Sequence, residues 1–203
     1  MTLDYLENTD PKLIKEMRDY YFNQIESYKK NKNKKITIDK MPLNLVHVGE
    51  ILRFFPNAKF ILALRHPYDC VLSCFMQNFM LNHAMANFLN LDDSLKLYDL
   101  TMSLWKKYTN VFKIDHHLIR YEDVVSNFKK TIGDLLKFLN VKWSDNVIEF
   151  YKTAEKRGII NTPSYNQVSQ PIYSNSMYRW KNYEKEFAKS NISLENWVKE
   201  FNY

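Results

Sequence analysis

The sequence predicts an α/β domain with a mainly parallel sheet flanked by helices, on three observations. Short apolar runs of strand length alternate with longer segments of helical periodicity. One run, Lys59 to Leu64 (KFILAL), is almost continuously apolar, the pattern of a parallel strand buried on both faces. No Pro-, Gly- or Ser-rich linker interrupts the 203 residues, so a single domain over residues 1–203 is expected.

The elements follow in order. A helix spans roughly Pro11 to Lys29, with Leu13, Ile14, Met17, Tyr20, Tyr21 and Ile25 as its apolar positions. A short strand, Ile36 to Ile38, ends at Asp39-Lys40-Met41-Pro42, and a helix runs from Leu43 to Phe54. Pro56-Asn57 makes a turn into the strand Lys59–Leu64. Arg65-His66-Pro67 closes that strand, and Pro67 opens a helix that continues to about Phe79. Asp92-Asp93 is the expected cap of a long helix reaching Val111. A strand from His116 to Tyr121 precedes a helix from Val124 to Leu139. A further helix runs from Asp145 to a glycine cap at Gly158. The stretch from Ile159 to Tyr178 is irregular, and two short helices around Trp180 and Trp197 close the chain.

At 45% hydrophobic and 15% aromatic residues, the composition excludes a disordered chain. A net charge of +6 is compatible with nucleic acid, a membrane surface or a small polyanion as partner. The densest basic run, Lys29 to Lys35, sits between two elements and is expected to be a solvated loop. Aromatic residues follow core spacing instead of interleaving with a basic stripe, so no nucleic-acid partner is expected. Cys70 and Cys74, one turn apart on a helix, resemble neither a disulfide framework nor a metal site. They are expected as buried small hydrophobes in a reducing compartment. No apolar run reaches membrane-spanning length, so a cytoplasmic domain without a membrane span is expected.

Ligands of a parallel sheet sit outside the carboxyl ends of its strands, which singles out Asp39-Lys40, Arg65-His66 and Tyr121-Glu122. Arg65 ends a strand and Ser73 lies on the next helix. A phosphate there would meet a guanidinium fork, a hydroxyl and the positive end of a helix. From these residues alone a second reading stands open, in which Arg65 pairs with a carboxylate such as Asp69 and Ser73 faces backbone. Likewise Lys40 is either a strand-end functional lysine or a surface one, and Tyr121 either a ligand contact or core. None of the five histidines has an evident nucleophile or metal partner, although His66 adjoins the candidate site.

The run Phe60 to Phe75, FILALRHPYDCVLSCF, resembles the 3′-phosphate-binding segment of sulfotransferases that use 3′-phosphoadenosine 5′-phosphosulfate (PAPS). The resemblance implies that Arg65 and Ser73 hold the donor's 3′-phosphate. DKMPLN, Asp39 to Asn44, resembles the segment of the tyrosylprotein branch whose lysine meets charge near the transferred sulfuryl group, which implies a catalytic Lys40. RYED, Arg120 to Asp123, resembles the segment whose tyrosine approaches the nucleotide, here Tyr121. TPSYNQVSQPIY (Thr162 to Tyr173) and RWKNYE (Arg179 to Glu184) are similar to the loop that closes over the nucleotide. That similarity implies donor contacts from Ser164, Gln167 and Arg179. Together these five ordered segments cover roughly residues 36–187 and look most like bacterial tetratricopeptide-linked and tyrosylprotein-type members.

The family carries an N-terminal strand and a glycine-rich loop that cradles the 5′-phosphosulfate. None of Gly49, Gly133 and Gly158 precedes Ser or Thr in a strand-to-helix turn. The resemblance therefore implies a three-layer, P-loop-like domain with its first strand and phosphate loop missing, about the C-terminal two-thirds of a catalytic domain. The implied activity is transfer of a sulfuryl group from PAPS to an acceptor hydroxyl or amine, leaving PAP (adenosine 3′,5′-bisphosphate) and requiring no metal. Alone, the chain is expected to be incomplete; a catalytically inactive nucleotide- or anion-binding remnant is the main rival. A nucleotide kinase would need a GxxxxGK[ST] loop that is absent. The acceptor class is not legible. Self-association or a complementing N-terminal segment is expected at the sheet edge that a missing strand leaves open.

Overall fold

A computed structural model of the chain describes residues 8–28, 36–152 and 170–203. Its backbone forms two compact units, Met1–Lys59 with Ser103–Asp115, and Phe60–Met102 with His116–Tyr203.

In the first unit, helix α1 (Pro11–Tyr28) begins where Asp10 accepts a hydrogen bond from the Lys12 N–H at 2.9 Å. Its Ile14 is buried, and Tyr21 and Phe22 pack on Phe55 with ring centroids 5.0 and 5.7 Å away. A 3-10 turn, Pro42–His47, leads into α2 (Val48–Phe54). The Arg18 Nε donates to the Phe54 carbonyl at 2.7 Å, satisfying one of the acceptors that end α2. Tyr108 donates to the Val46 carbonyl at 3.0 Å, and a Cβ on Gly49 would sit 3.1 Å from the Tyr108 ring, so glycine permits this approach. The expected strand Ile36–Ile38 is not one. Residues 36–41 form no ladder and both isoleucines are exposed. A strand needs a partner as well as an apolar pattern, and no described segment pairs with this one.

The second unit is built on β1 (Phe60–Leu64) and β2 (His116–Arg120), which pair in parallel from Phe60↔His116 to Leu64↔Arg120. Leu62 and Leu64 are buried while Ile61 and Ala63 are exposed. Thus β1 buries one face, not the two its apolar run suggests. Helix α3 (Pro67–Phe75) follows β1 with Pro67 in its first turn and ends one turn before the expected Phe79. The long helix α4 (Leu91–Val111) contributes Leu95, Tyr98 and Met102 to the core of this unit. After β2 come α5 (Tyr121–Ser126) and α6 (Phe128–Phe138), broken at Asn127 where one continuous helix is expected. The helix expected to run from Asp145 to Gly158 opens with a 3-10 turn, Asp145–Val147, followed by helical residues 150–152; the segment 153–169 lies outside the described residues.

A 3-10 turn, Arg179–Tyr183, runs into α7 (Glu184–Phe187), and α8 (Glu195–Glu200) ends the chain. Phe187, Leu194, Trp197 and Phe201 from this region are buried, as are Tyr68, Val71 and Leu72 of α3. Trp197 is anchored by its Nε1–H, which donates to Asp99 of α4 at 2.7 Å. No described helix is long and apolar enough to cross a membrane.

Candidate functional site

Because β1 and β2 are parallel and in register, their carboxyl ends lie side by side, and so do the residues that follow them. Arg65 comes directly after Leu64 and Tyr121 directly after Arg120, the last pair of the ladder. The Arg65 guanidinium lies over the Tyr121 ring, 5.6 Å from its centroid. The turn out of β1 is held by Glu122, buried, whose carboxylate accepts the His66 N–H at 2.9 Å. The sequence rule that ligands gather at strand ends thus brings together two of the expected residues.

Arg65 is 22% exposed at its side chain. One Nη donates to the Ser176 carbonyl and lies 4.0 Å from Asp69. Its Nε is buried and has no hydrogen-bond partner among the described residues. Asp69 is thus a charge neighbour of Arg65, as the second of the two readings expects, and the Arg65 Nε makes no hydrogen bond within the described residues. Ser73 sits one helical turn beyond Asp69 on α3, on the same face, and is exposed. The Tyr121 hydroxyl donates to the Tyr173 carbonyl at 2.7 Å. Burial pushes the Tyr121 phenol up from its ordinary value, while the Arg65 charge pulls the other way.

Sequence reasoning assigned Asp69 only as a partner for Arg65. The structure gives it a larger part. Its carboxylate, with no exposed side-chain surface, accepts the N–H groups of Tyr178 at 2.5 Å and Trp180 at 2.8 Å. These amides bracket Arg179, the first residue of its 3-10 turn, whose side chain is exposed. Tyr178 has φ 55°, the left-handed region that an L residue adopts only when held. No local signal announces this clamp, since it joins residues more than 100 positions apart. Glu122 was also missed as a structural residue, although a buried acid directly after a strand end was readable.

His66 lies in an aromatic box. Its ring stacks on Trp180 with centroids 5.1 Å apart and meets Tyr178 and Tyr203 edge-on at 5.6 and 5.2 Å. Burial holds the imidazole below its ordinary value, with the Asp69 and Glu122 carboxylates partly opposing. Cys70 and Cys74 are free thiols, each partly accessible instead of fully buried. A hydrogen bond between them, with burial, raises Cys70; the same bond lowers Cys74.

The remaining expected residues fall elsewhere. Lys40 belongs to the first unit, where it is exposed beside Asp39. Asp39 accepts hydrogen bonds from Tyr21 at 2.8 Å and Asn44 at 3.5 Å, and burial together with that carboxylate pushes the Tyr21 hydroxyl up to about 12. Ser164 and Gln167 lie outside the described residues. Among the described residues, no group of three or more His, Cys, Asp or Glu side chains is placed to hold a metal ion.

The chain is similar to several known proteins. A protein of Aquifex aeolicus of uncharacterized function is 31% identical over 180 residues, covering 87% of this chain and 23% of its own length. Protein-tyrosine sulfotransferase 1 of Danio rerio is 26% identical over 191 residues, 89% of this chain and 51% of the relative. Protein-tyrosine sulfotransferase 2 of Gallus gallus is 24% identical over 192 residues, 89% of this chain and 49% of the relative. The chain therefore spans about half the length of the two vertebrate relatives and under a quarter of the bacterial one. A family model described as the sulfotransferase family matches residues 2–145, which takes in β1, α3, β2 and the turn that carries Arg65. With that match over most of its length, the chain belongs to the sulfotransferase family.

Proposed function

We propose that the second unit binds the 3′-phosphorylated adenosine nucleotide of sulfuryl transfer, PAPS as donor and PAP as product, through Arg65, Ser73 and Tyr121. The observation that supports this is the state of Arg65. A buried guanidinium N–H without a partner costs stability unless something satisfies it, and a phosphate oxygen is the acceptor its fork fits best. Tyr121 supplies an aromatic face under the guanidinium, and Ser73 adds a hydroxyl along the helix that starts beside Arg65. In the same proposal Arg179, Ser164 and Gln167 contribute to the donor's phosphates or adenine side.

When bound, PAPS brings an activated sulfuryl group that passes to an acceptor hydroxyl or amine. The chain's own residues bind and orient the nucleotide by its 3′-phosphate, and fixed donors of this kind act where charge develops. Lys40 keeps the role the resemblance gives it, meeting charge on the transferred group. It is tested separately, as a loss of turnover in Lys40→Ala with PAP affinity unchanged. The names of the two vertebrate relatives make a tyrosine-bearing peptide the first acceptor to try. We place the protein in the cytoplasm on the same footing, since both cysteines are free thiols.

Calorimetric titration of PAP and of adenosine 5′-monophosphate into the folded chain tests the proposal. PAP should bind more tightly than the monophosphate, and Arg65→Ala should remove most of that difference, roughly tenfold to a hundredfold for a lost charge-assisted bond. Absence of PAP binding by the folded wild-type chain would sink it. The rival, a nucleotide-binding remnant, predicts the same binding with no sulfated peptide formed from PAPS.

A further inference from the structure

We infer that Asp69 is a positioning residue that makes Arg65 and Arg179 act as one unit toward the 3′-phosphate. The inference rests on the nucleotide reading above and goes beyond it in assigning how that site is organised.

Each oxygen of the Asp69 carboxylate is committed. One accepts the Tyr178 N–H at 2.5 Å; the other accepts the Trp180 N–H at 2.8 Å and lies 4.0 Å from the Arg65 guanidinium. Arg179 sits between the two amides, so its backbone is fixed on both sides by one side chain. Arg65 adds a second tie to the same segment by donating to the Ser176 carbonyl. Segment Ser176–Trp180 is thus strapped to the start of α3 by one carboxylate and one guanidinium.

The strap is held against a backbone preference, because Tyr178 sits at φ 55°. It is also held in a fully buried place, where a carboxylate survives only if its acceptors are used and a positive charge is near. Asparagine at this position would keep the shape and one acceptor oxygen. It would turn an amide N–H₂ toward one of the two backbone donors and remove the charge that faces Arg65. Both arginines would then lose their common reference.

A carboxylate that merely repelled anions would do the opposite. Its removal would strengthen binding of any phosphate, with or without the 3′ group. The two roles therefore predict changes of opposite sign.

The test is titration of PAP and adenosine 5′-monophosphate into wild type, Asp69→Asn and, as a stability control outside the site, Asn90→Ala. We expect Asp69→Asn to lose tenfold or more of the preference for PAP over the monophosphate, while Asn90→Ala keeps the wild-type preference. An unchanged preference in Asp69→Asn, or tighter binding of both nucleotides, overturns the inference and leaves the nucleotide reading standing. No PAP binding by wild type removes both. If Asp69→Asn does not fold, a double-mutant cycle between Arg65→Gln and Arg179→Gln decides: coupled losses of PAP affinity support the shared unit, and additive losses overturn it.

Discussion

A histidine inside an aromatic box titrates against its surroundings, and His66 shows the consequence at the scale of one residue. It is 4% exposed, stacked on Trp180, and burial is the largest influence on its ring, outweighing the attraction of Asp69, Glu122 and Glu195. The folded-state value is therefore below the unfolded value of about 6.5. Between those two values the unfolded chain binds more protons, so stability rises with pH there and falls as pH drops. Above the unfolded value this contribution is complete. The thermal midpoint should decline as pH is lowered from 7 toward 5, and His66→Phe, which keeps a stacking ring, should flatten that decline. Melting curves across this range check it, and identical slopes in both proteins would remove His66 as the cause.

Helix α4 carries the argument at the scale of an element. The sequence marks a helix start near Asp92-Asp93, and a helix does start there. Its cap, however, is Asn90, whose side-chain oxygen accepts the N–H groups of Asp92 at 2.8 Å and Asp93 at 3.3 Å. Ser94 reinforces the turn by donating to the Asn90 carbonyl at 2.7 Å. Asn90→Ala should cost about 1 kcal/mol in chemical denaturation, the usual worth of such a cap. Asp92→Asn should cost less, because its carboxylate serves only the helix dipole.

What was readable at this scale has a physical reason. Strand ends, proline starts and capping residues are signals within a few positions, so β1, α3, α4 and the strand-end positions of Arg65 and Tyr121 could be anticipated, though not the contact between those two side chains. The one-sided burial of β1, the unpaired stretch 36–41 and the Asp69 clamp depend on what lies across the fold. Nothing near Ile36 or Asp69 in the sequence encodes those partners.

At the scale of the whole molecule the basic balance matters most. A net charge of +6 is compatible with nucleic acid as a partner, whereas the function proposed above takes one small polyanion in a defined site. The two separate on salt. Affinity for a DNA or RNA fragment should collapse by about a thousandfold between roughly 50 and 200 mM salt if many phosphates are neutralised. PAP affinity should change by about tenfold or less over that range, since few charges are involved. Parallel titrations check this, and a steep salt response for PAP would mean that diffuse attraction, not Arg65, dominates.

The parallel pairing of β1 with β2 also dictates the order in which the protein can come into being. His66 and Glu122 are 56 positions apart, so on the ribosome the first strand must wait, unpaired, until the second has emerged. The tie from Asp69 to Tyr178 and Trp180 waits longer still, for amides made 109 and 111 positions later. A nascent chain would make β1 and α3 early, pair β1 once β2 has emerged, and complete the strap over Arg65 only after residue 180 has emerged. Ribosome-bound chains stopped before residue 178 should accordingly be folded in part and blind to the nucleotide.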